Sequence, residues 1–310
     1  MTTLPAATPK PGSPGDNERT HLAPKPRRLP PGLWFRHVGW RHLVGVLGLA
    51  FALFPAVWVV SASVNPTNSL AAMSFFPDAP TLNNYRDLLF DEPFLVWMRN
   101  SLVVAGGAAI TMTVLSAMAA YAFSRLRFAG RRVGLLAILL VQMFPQLLAM
   151  VALFLFMARI GLVFPGLGTG TLTGLFLVYL GGALGANTWL VKGFFDTIPA
   201  DLDEAAKIDG ATHNQVFWQI ILPLSAPILA VTTMLSFVFL FNEYILASIL
   251  IRDELSFTLA IGLSSFISEQ NSQWGVFTAG ALLGGIPIIL LFLFLQRYIV
   301  SGLTAGGVKG

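Results

Sequence analysis

Residues 194–223 read Phe-Phe-Asp-Thr-Ile-Pro-Ala-Asp-Leu-Asp-Glu-Ala-Ala-Lys-Ile-Asp-Gly-Ala-Thr-His-Asn-Gln-Val-Phe-Trp-Gln-Ile-Ile-Leu-Pro. Asp201 and Glu204 stand at D-x-x-E spacing, which predicts a helix start: the aspartate accepts from first-turn N–H groups while the glutamate reaches back. Leu202, Ala205, Ala206 and Ile208 give that helix a small apolar patch, and Gly210 suits the left-handed residue that ends a helix. Thr212 and Gln215 repeat the capping arrangement, so a second short helix leads to Pro223. On either side the chain changes character, because 161–191 and 210–242 contain no Asp, Glu, Lys or Arg. A capped polar loop between two long uncharged runs predicts a connection between membrane spans.

Four more uncharged runs lie further out, at 42–77, 100–124, 133–158 and 271–296. Each exceeds the roughly 20 residues that a helix needs to cross a bilayer. The predicted spans are 42–63, 101–123, 133–157, 170–191, 222–246 and 276–297, and the predicted fold class is all-α, a polytopic membrane bundle of six transmembrane helices. Composition agrees. Of 310 residues, 55% are hydrophobic and 11% charged, against roughly 25% charged in a soluble domain. That is too little charge to cover a water-facing surface, which excludes an ordinary soluble enzyme.

The basic residues orient the spans. With the N-terminus inside, fifteen of the 19 Lys and Arg are cytoplasmic and only Arg86, Arg99, Arg159 and Arg252 are outside. Cytoplasmic loops carry the Lys and Arg excess, so both termini are predicted to be cytoplasmic. Residues 1–31 hold eight prolines and no apolar periodicity, which predicts a disordered cytoplasmic tail. Trp34, Phe35, Arg36, Trp40 and Arg41 read as an interfacial anchor. A signal peptide cleaved at Ser61-Ala62-Ser63 would need a charged region of about 40 residues, longer than such regions run. The spanning domain is then 32–299, with the loop at 194–218, and a cytoplasmic C-terminal tail covers 300–310.

Catalysis by the chain itself is not expected. Zero Cys excludes disulfides, thiolate metal sites and a cysteine nucleophile. His21, His37, His42 and His213 lack metal spacing, so no metal site is expected. No G-x-x-x-x-G-K-[ST] is present for ATP, no nucleophile–base constellation stands out, and no nucleic-acid partner is implied. A short helix with Ala on its contact side can enter a groove on another protein and carry motion into the spans that flank it. A capped loop without a partner accounts for the same residues.

Here the residues carry a resemblance. Glu204-Ala205-Ala206, Gly210 four positions on, and Ile220-x-Leu222-Pro223 after nine residues are similar to the EAA motif of ABC importer permeases. Phe75-Phe76-Pro77, Pro80-Thr81-Leu82-x-Asn84-Tyr85, Ala120-Tyr121-Ala122-Phe123-Ser124-Arg125 and the ending 302–310 resemble the carbohydrate-importing branch. Gln142-Met143-Phe144-Pro145, Tyr179-Leu180-Gly181-Gly182, Leu250-Ile251-Arg252-Asp253 and Trp274-Gly275 resemble the smaller permease subunits of maltose/maltodextrin importers. The resemblance covers 42–310.

It implies a type I ABC importer permease in the bacterial inner membrane, translocating maltose or maltodextrins delivered by an extracytoplasmic binding protein. The implied partners are a second, homologous permease subunit and an ATPase dimer that holds ATP and Mg. By resemblance, Asp201, Glu204, Ala205, Ala206, Asp209, Gly210, Leu222 and Pro223 form the coupling helix and its frame. Ser268, Glu269, Gln270, Asn271 and Trp274 then face the binding protein, and Gly306, Gly307, Val308, Lys309 and Gly310 enter the ATPase interface. Trehalose, another α-glucoside or glycerol phosphate stay open as substrates. A self-contained channel or ion-coupled carrier would leave the EAA loop unexplained.

Glu243, between Asn242 and Tyr244, is the one acid clearly inside an apolar run. Exposing it to lipid costs roughly 2.5 kcal/mol or more at the bilayer centre. It falls near the outer end of span five, so lining the sugar path, snorkelling and pairing with the partner subunit all remain open. Gln142 and Asn187 are further candidates for the path. Gly181 with Gly185, and Gly280 with Gly284, predict close helix packing.

Overall fold

The computed structural model describes residues 39–67, 74–267 and 272–306. The expected tail at 1–31, Trp34, Phe35, Arg36, Ser268, Glu269, Gln270, Asn271, Gly307, Val308, Lys309 and Gly310 lie outside the described residues. Among the described residues the regular structure is helical: α1 (Trp40–Ser63), α2 (Asn83–Arg86, continued by a π turn), α3 (Phe94–Arg125), α4 (Arg131–Gln142), α5 (Gln146–Val163), α6 (Leu172–Leu180), α7 (Ala186–Phe195), α8 (Asp201–Ile208), α9 (His213–Gln215, continued through Leu224), α10 (Ala226–Phe241), α11 (Ile245–Leu250), α12 (Leu259–Ser264) and α13 (Trp274–Gly306).

Helices α1, α3 and α13 are long and apolar enough to cross a membrane, and α9 with α10 passes the same test as a pair bent by 78°. The chain is a multi-pass helical membrane protein. It divides into two compact units at Pro55, within α1. In the first unit the described residues are mostly α1 itself, with residues 40–55 all exposed, so that every side of the helix is bare, as suits a helix set in lipid.

The second unit is built around α3. Val104, Ala105, Ala108, Ala109, Met112, Ser116, Ala117, Ala120 and Tyr121 recur at helical spacing and are all buried. Five of the nine have no atoms beyond Cβ and Ala108, Ala117 and Ala120 are 0% exposed, so α6, α7 and α10 approach this face closely. Gly280 and Gly284 act likewise on α13: a Cβ on Gly280 would lie 2.3 Å from Leu263 and one on Gly284 2.8 Å from Leu259, both on α12.

Three of the expected spans are interrupted, residues 222–246 by the 78° bend at Ser225 and by a second break at Asn242–Tyr244. Residues 133–157 become α4 and α5, separated at Pro145, which lacks the N–H that would continue the ladder. Residues 170–191 become α6 and α7, separated at Gly181–Gly185, and Ser116 Oγ of α3 donates to the Ala183 carbonyl at that break, 2.5 Å away. Interrupted helix is tolerated at membrane depth where neighbours re-satisfy the freed backbone in this way. Around the C-terminal end of α1, Asn84 is 6% exposed and donates to the carbonyls of Ser63 and Asn65, each 2.9 Å away.

Candidate functional site

The loop at 194–218 keeps its predicted ends with one correction. Gly210 has φ +89°, and the Ala211 N–H reaches the Ala206 carbonyl at 2.9 Å while the Gly210 N–H reaches Lys207 at 3.0 Å. These two bonds form a Schellman stop. Thr212 and Gln215 form a full capping box, with the Gln215 N–H donating to Thr212 Oγ1 at 3.3 Å and the Thr212 N–H to Gln215 Oε1 at 2.8 Å. The Asp201/Glu204 box does not form. Ala200 is already helical, at φ −66° and ψ −24°, and its carbonyl accepts from Asp203 and Glu204. The helix therefore begins one residue early, and Asp201 sits inside the first turn, where it only complements the helix dipole.

The acid that the fold uses is Asp203. It is 4% exposed and its Oδ2 lies 2.8 Å from Arg125 Nε, at the end of α3. The pair is ionic without the geometry of an in-line hydrogen bond, and Asp203 Oδ1 has no hydrogen-bond partner. Arg125 Nη2 also donates to the Ile198 carbonyl at 2.7 Å. Beside it, Asp196 accepts from Lys192 Nζ and Ser124 Oγ, both at 2.6 Å. Burial alone would raise the Asp196 pKa, but those two bonds and the charges of Lys192 and Arg131 outweigh it and hold the carboxyl below its ordinary value. Tyr121 OH donates to the His213 carbonyl at 3.3 Å, and its ring lies 5.2 Å from that of Phe217.

With Asp203 turned inward, the opposite face of α8 is bare. Asp201, Leu202, Glu204, Ala205, Lys207 and Ile208 are exposed, Ile208 at 86%. Ala206 and Leu222 pack partly buried against the core below, and Pro223 lies at the 78° bend into α10. Ile208 thus stands exposed at the tip of a helix whose inner face is packed.

Deeper in the second unit, a cavity of about 1230 Å³ opens between α3, α4, α5, α6, α7 and α10. Its lining includes Met112, Val141, Phe144, Phe239 and Leu240, with Gln142, Asn187 and Ser236 as polar side chains and no charged residue. Asn187 Nδ2 donates to Ser236 Oγ at 2.8 Å. Gln142 crosses so near Gly185 that a Cβ there would lie 2.1 Å from its amide nitrogen.

Residues 109–305 match the family model described as "Binding-protein-dependent transport system inner membrane component". The chain belongs to this family. This binding-protein-dependent transport component is 42% identical over 282 residues to the maltose/maltodextrin transport system permease protein MalG of Salmonella typhimurium, covering 87% of this chain and 95% of that one. It is 40% identical over 292 residues to MalG of Vibrio parahaemolyticus, covering 90% and 96%. Among solved structures it is similar to a bacterial ABC transporter involved in the import of the acidic polysaccharide alginate, with a TM-score of 0.70 and 25% identity over 87% of this chain and 99% of that one. The likeness read from the EAA loop and the maltose-type stretches agrees with these relatives.

In this transport component the expected path residues separate. Gln142 and Asn187 line the cavity; Asn242, Glu243 and Tyr244 do not. Glu243 accepts from Tyr179 OH at 2.9 Å and from the N–H groups of Leu246 and Ala247 at 2.7 and 3.0 Å. It ties α6 to the start of α11. Asn242 Nδ2 donates back to the Val238 carbonyl at 2.8 Å, and Tyr244 is exposed. Trp274 begins α13, its ring set edge-on to Phe277 at 5.9 Å. Sequence reasoning missed Asp203, Arg125 and Ser236. Asp203 lies three residues before Ala206, on the same helix face, and that spacing was the available signal.

Proposed function

We propose that this chain is one of two different permease subunits of a type I ABC importer for maltose or maltodextrins. It crosses the membrane six times, counting α4–α5, α6–α7 and α9–α11 as three spans, with both termini in the cytoplasm. ATP and Mg reside on a separate ATPase dimer, which receives α8 through Leu202, Glu204, Ala205 and Ile208. Asp201, Asp209 and Gly210 shape that helix. An extracytoplasmic binding protein docks over Trp274 and the segment 268–271, and the tail 306–310 enters the ATPase interface. Nucleotide binding closes the ATPase, α8 moves with it, and the bundle opens outward to take sugar into the cavity beside Gln142, Asn187 and Ser236.

The observation that carries this reading is the bare α8, stopped at Gly210 and followed by the Thr212/Gln215 box, whose inner face is fixed to the bundle. The uncharged cavity lining supports a neutral sugar over an acidic one, which would call for Arg or Lys. Glu204→Arg is expected to abolish transport and binding-protein-stimulated ATPase activity while the chain stays in the membrane. Normal coupling in that variant would overturn the docking surface. Stimulation by trehalose or glycerol phosphate, and by no maltodextrin, would overturn the substrate.

A further inference from the structure

Among the helices long enough to cross a membrane, α3 is the one without a proline inside; α1 contains Pro55 and α13 contains Pro287. Other apolar stretches break at Pro145, at Gly181–Gly185 and at Asn242–Tyr244. Sharp helix kinks occur mainly at such positions; α3 carries the pair Gly106–Gly107 yet runs as one unbroken helix of 32 residues. Both of its ends are polar joints. At the cytoplasmic end, Arg125 holds Asp203 of α8 and the Ile198 carbonyl. At the outer end, Asn100 is 1% exposed and donates to the carbonyls of Leu255 and Phe257 at 2.9 and 3.0 Å. Trp97 Nε1 donates to the Glu254 carbonyl at 3.0 Å, and Ser101 Oγ accepts the Leu259 N–H at 2.7 Å. Trp97 also lies across Gly262, where a Cβ would sit 2.1 Å from the indole. Asn100 and Arg125 are 25 residues apart in sequence, which at 1.5 Å per residue is about 38 Å.

We propose that α3 is a strut that locks the outer loop 251–258 to the cytoplasmic helix α8, with Asn100 and Arg125 as positioning residues at its two ends. Events on the outer face are read at the ATPase through this one helix. The proposal rests on the docking of α8 but adds a separate claim. Glu204 makes the contact with the ATPase, whereas Asp203 and Asn100 set where that contact stands. If both ends belong to one link, cutting either end breaks it, and cutting both adds little more.

The test uses the complete transporter in proteoliposomes, with ATPase activity measured alone and with maltose-loaded binding protein. Coupling between distant sites typically amounts to about 5- to 150-fold. Asp203→Asn and Asn100→Ala are each expected to keep basal activity and lower the stimulation at least about fivefold, with the double variant no lower than the weaker single. Multiplying effects in the double variant, or stimulation kept in either single one, would overturn the strut. Loss of the ATPase subunits from the Asp203→Asn complex would assign Asp203 to docking and also overturn it. A second measurement leaves both joints intact. The chain has no Cys, so spin labels on introduced cysteines at the exposed Met118 of α3 and Lys207 of α8 report one helix against the other. Their distance is expected to be the same without nucleotide and with trapped ATP; a resolved shift would overturn the proposal, whereas Glu204→Arg failing to uncouple would overturn only the docking surface.

Discussion

The two ends of α3 do the same task with different chemistry. The C-terminal end uses charge, with Arg125 against Asp203 and Ser124 donating to the Asp196 carboxylate. The N-terminal end uses neutral donors and acceptors, with Trp97, Asn100 and Ser101 meeting backbone groups of 254–259. A neutral amide is strong when dry but loses little if water enters. A buried ion pair holds firmly yet leaves a costly orphan when one partner goes. The C-terminal joint is therefore the more brittle of the two.

That contrast sets an order of effects. Arg125→Ala strands the carboxylate of Asp203 and frees the Ile198 carbonyl, and is expected to cost about 3–5 kcal/mol, read as a lowered unfolding midpoint of the purified protein. Asn100→Ala leaves the carbonyls of Leu255 and Phe257 unpaired and is expected to cost about 1–3 kcal/mol in the same assay. A larger loss at Asn100 than at Arg125 would break the comparison. Thr212→Ala removes the cap of α9 and should cost about 1 kcal/mol, with Thr212→Ser restoring it.

The smallest effect belongs to Asp196, whose pair with the i−4 lysine is expected to contribute about 0.3–0.5 kcal/mol. Its folded-state pKa is lowered from 3.8, so the contribution is complete above that value and is lost as pH falls through the lowered one. Asp196→Asn should flatten stability only in that acid range. Salt should weaken the Asp196 pair and leave the buried Arg125 pair almost unchanged, which sharpens the contrast between brittle and soft joints.

Much of the fold was legible because burial in lipid writes itself plainly. The apolar runs that became α1, α3 and α13 contain no charge over about 20 residues, and Gly210 and the Thr212/Gln215 box have local signatures. The breaks in the third and fourth spans were hidden, because hydropathy counts side chains and does not see the backbone bend at Pro145 or Gly181–Gly185. At the site, Asp201, Asp203 and Glu204 all fit a capped acidic turn, and only the rotation of α8 decides which carboxylate faces Arg125. The partner of Glu243 was out of reach for a related reason. Tyr179 stands 64 residues earlier, and nothing local links the two.

The uncharged lining of the cavity has an electrical consequence. A membrane potential does about 2.3 kcal/mol of work on each elementary charge per 100 mV. On the proposed path, a neutral sugar moving past Gln142, Asn187 and Ser236 carries no charge, and Glu243 is engaged by Tyr179 and two N–H groups. On that reading the resting potential neither helps nor opposes uptake, and the proposed ATPase alone sets the concentration gradient.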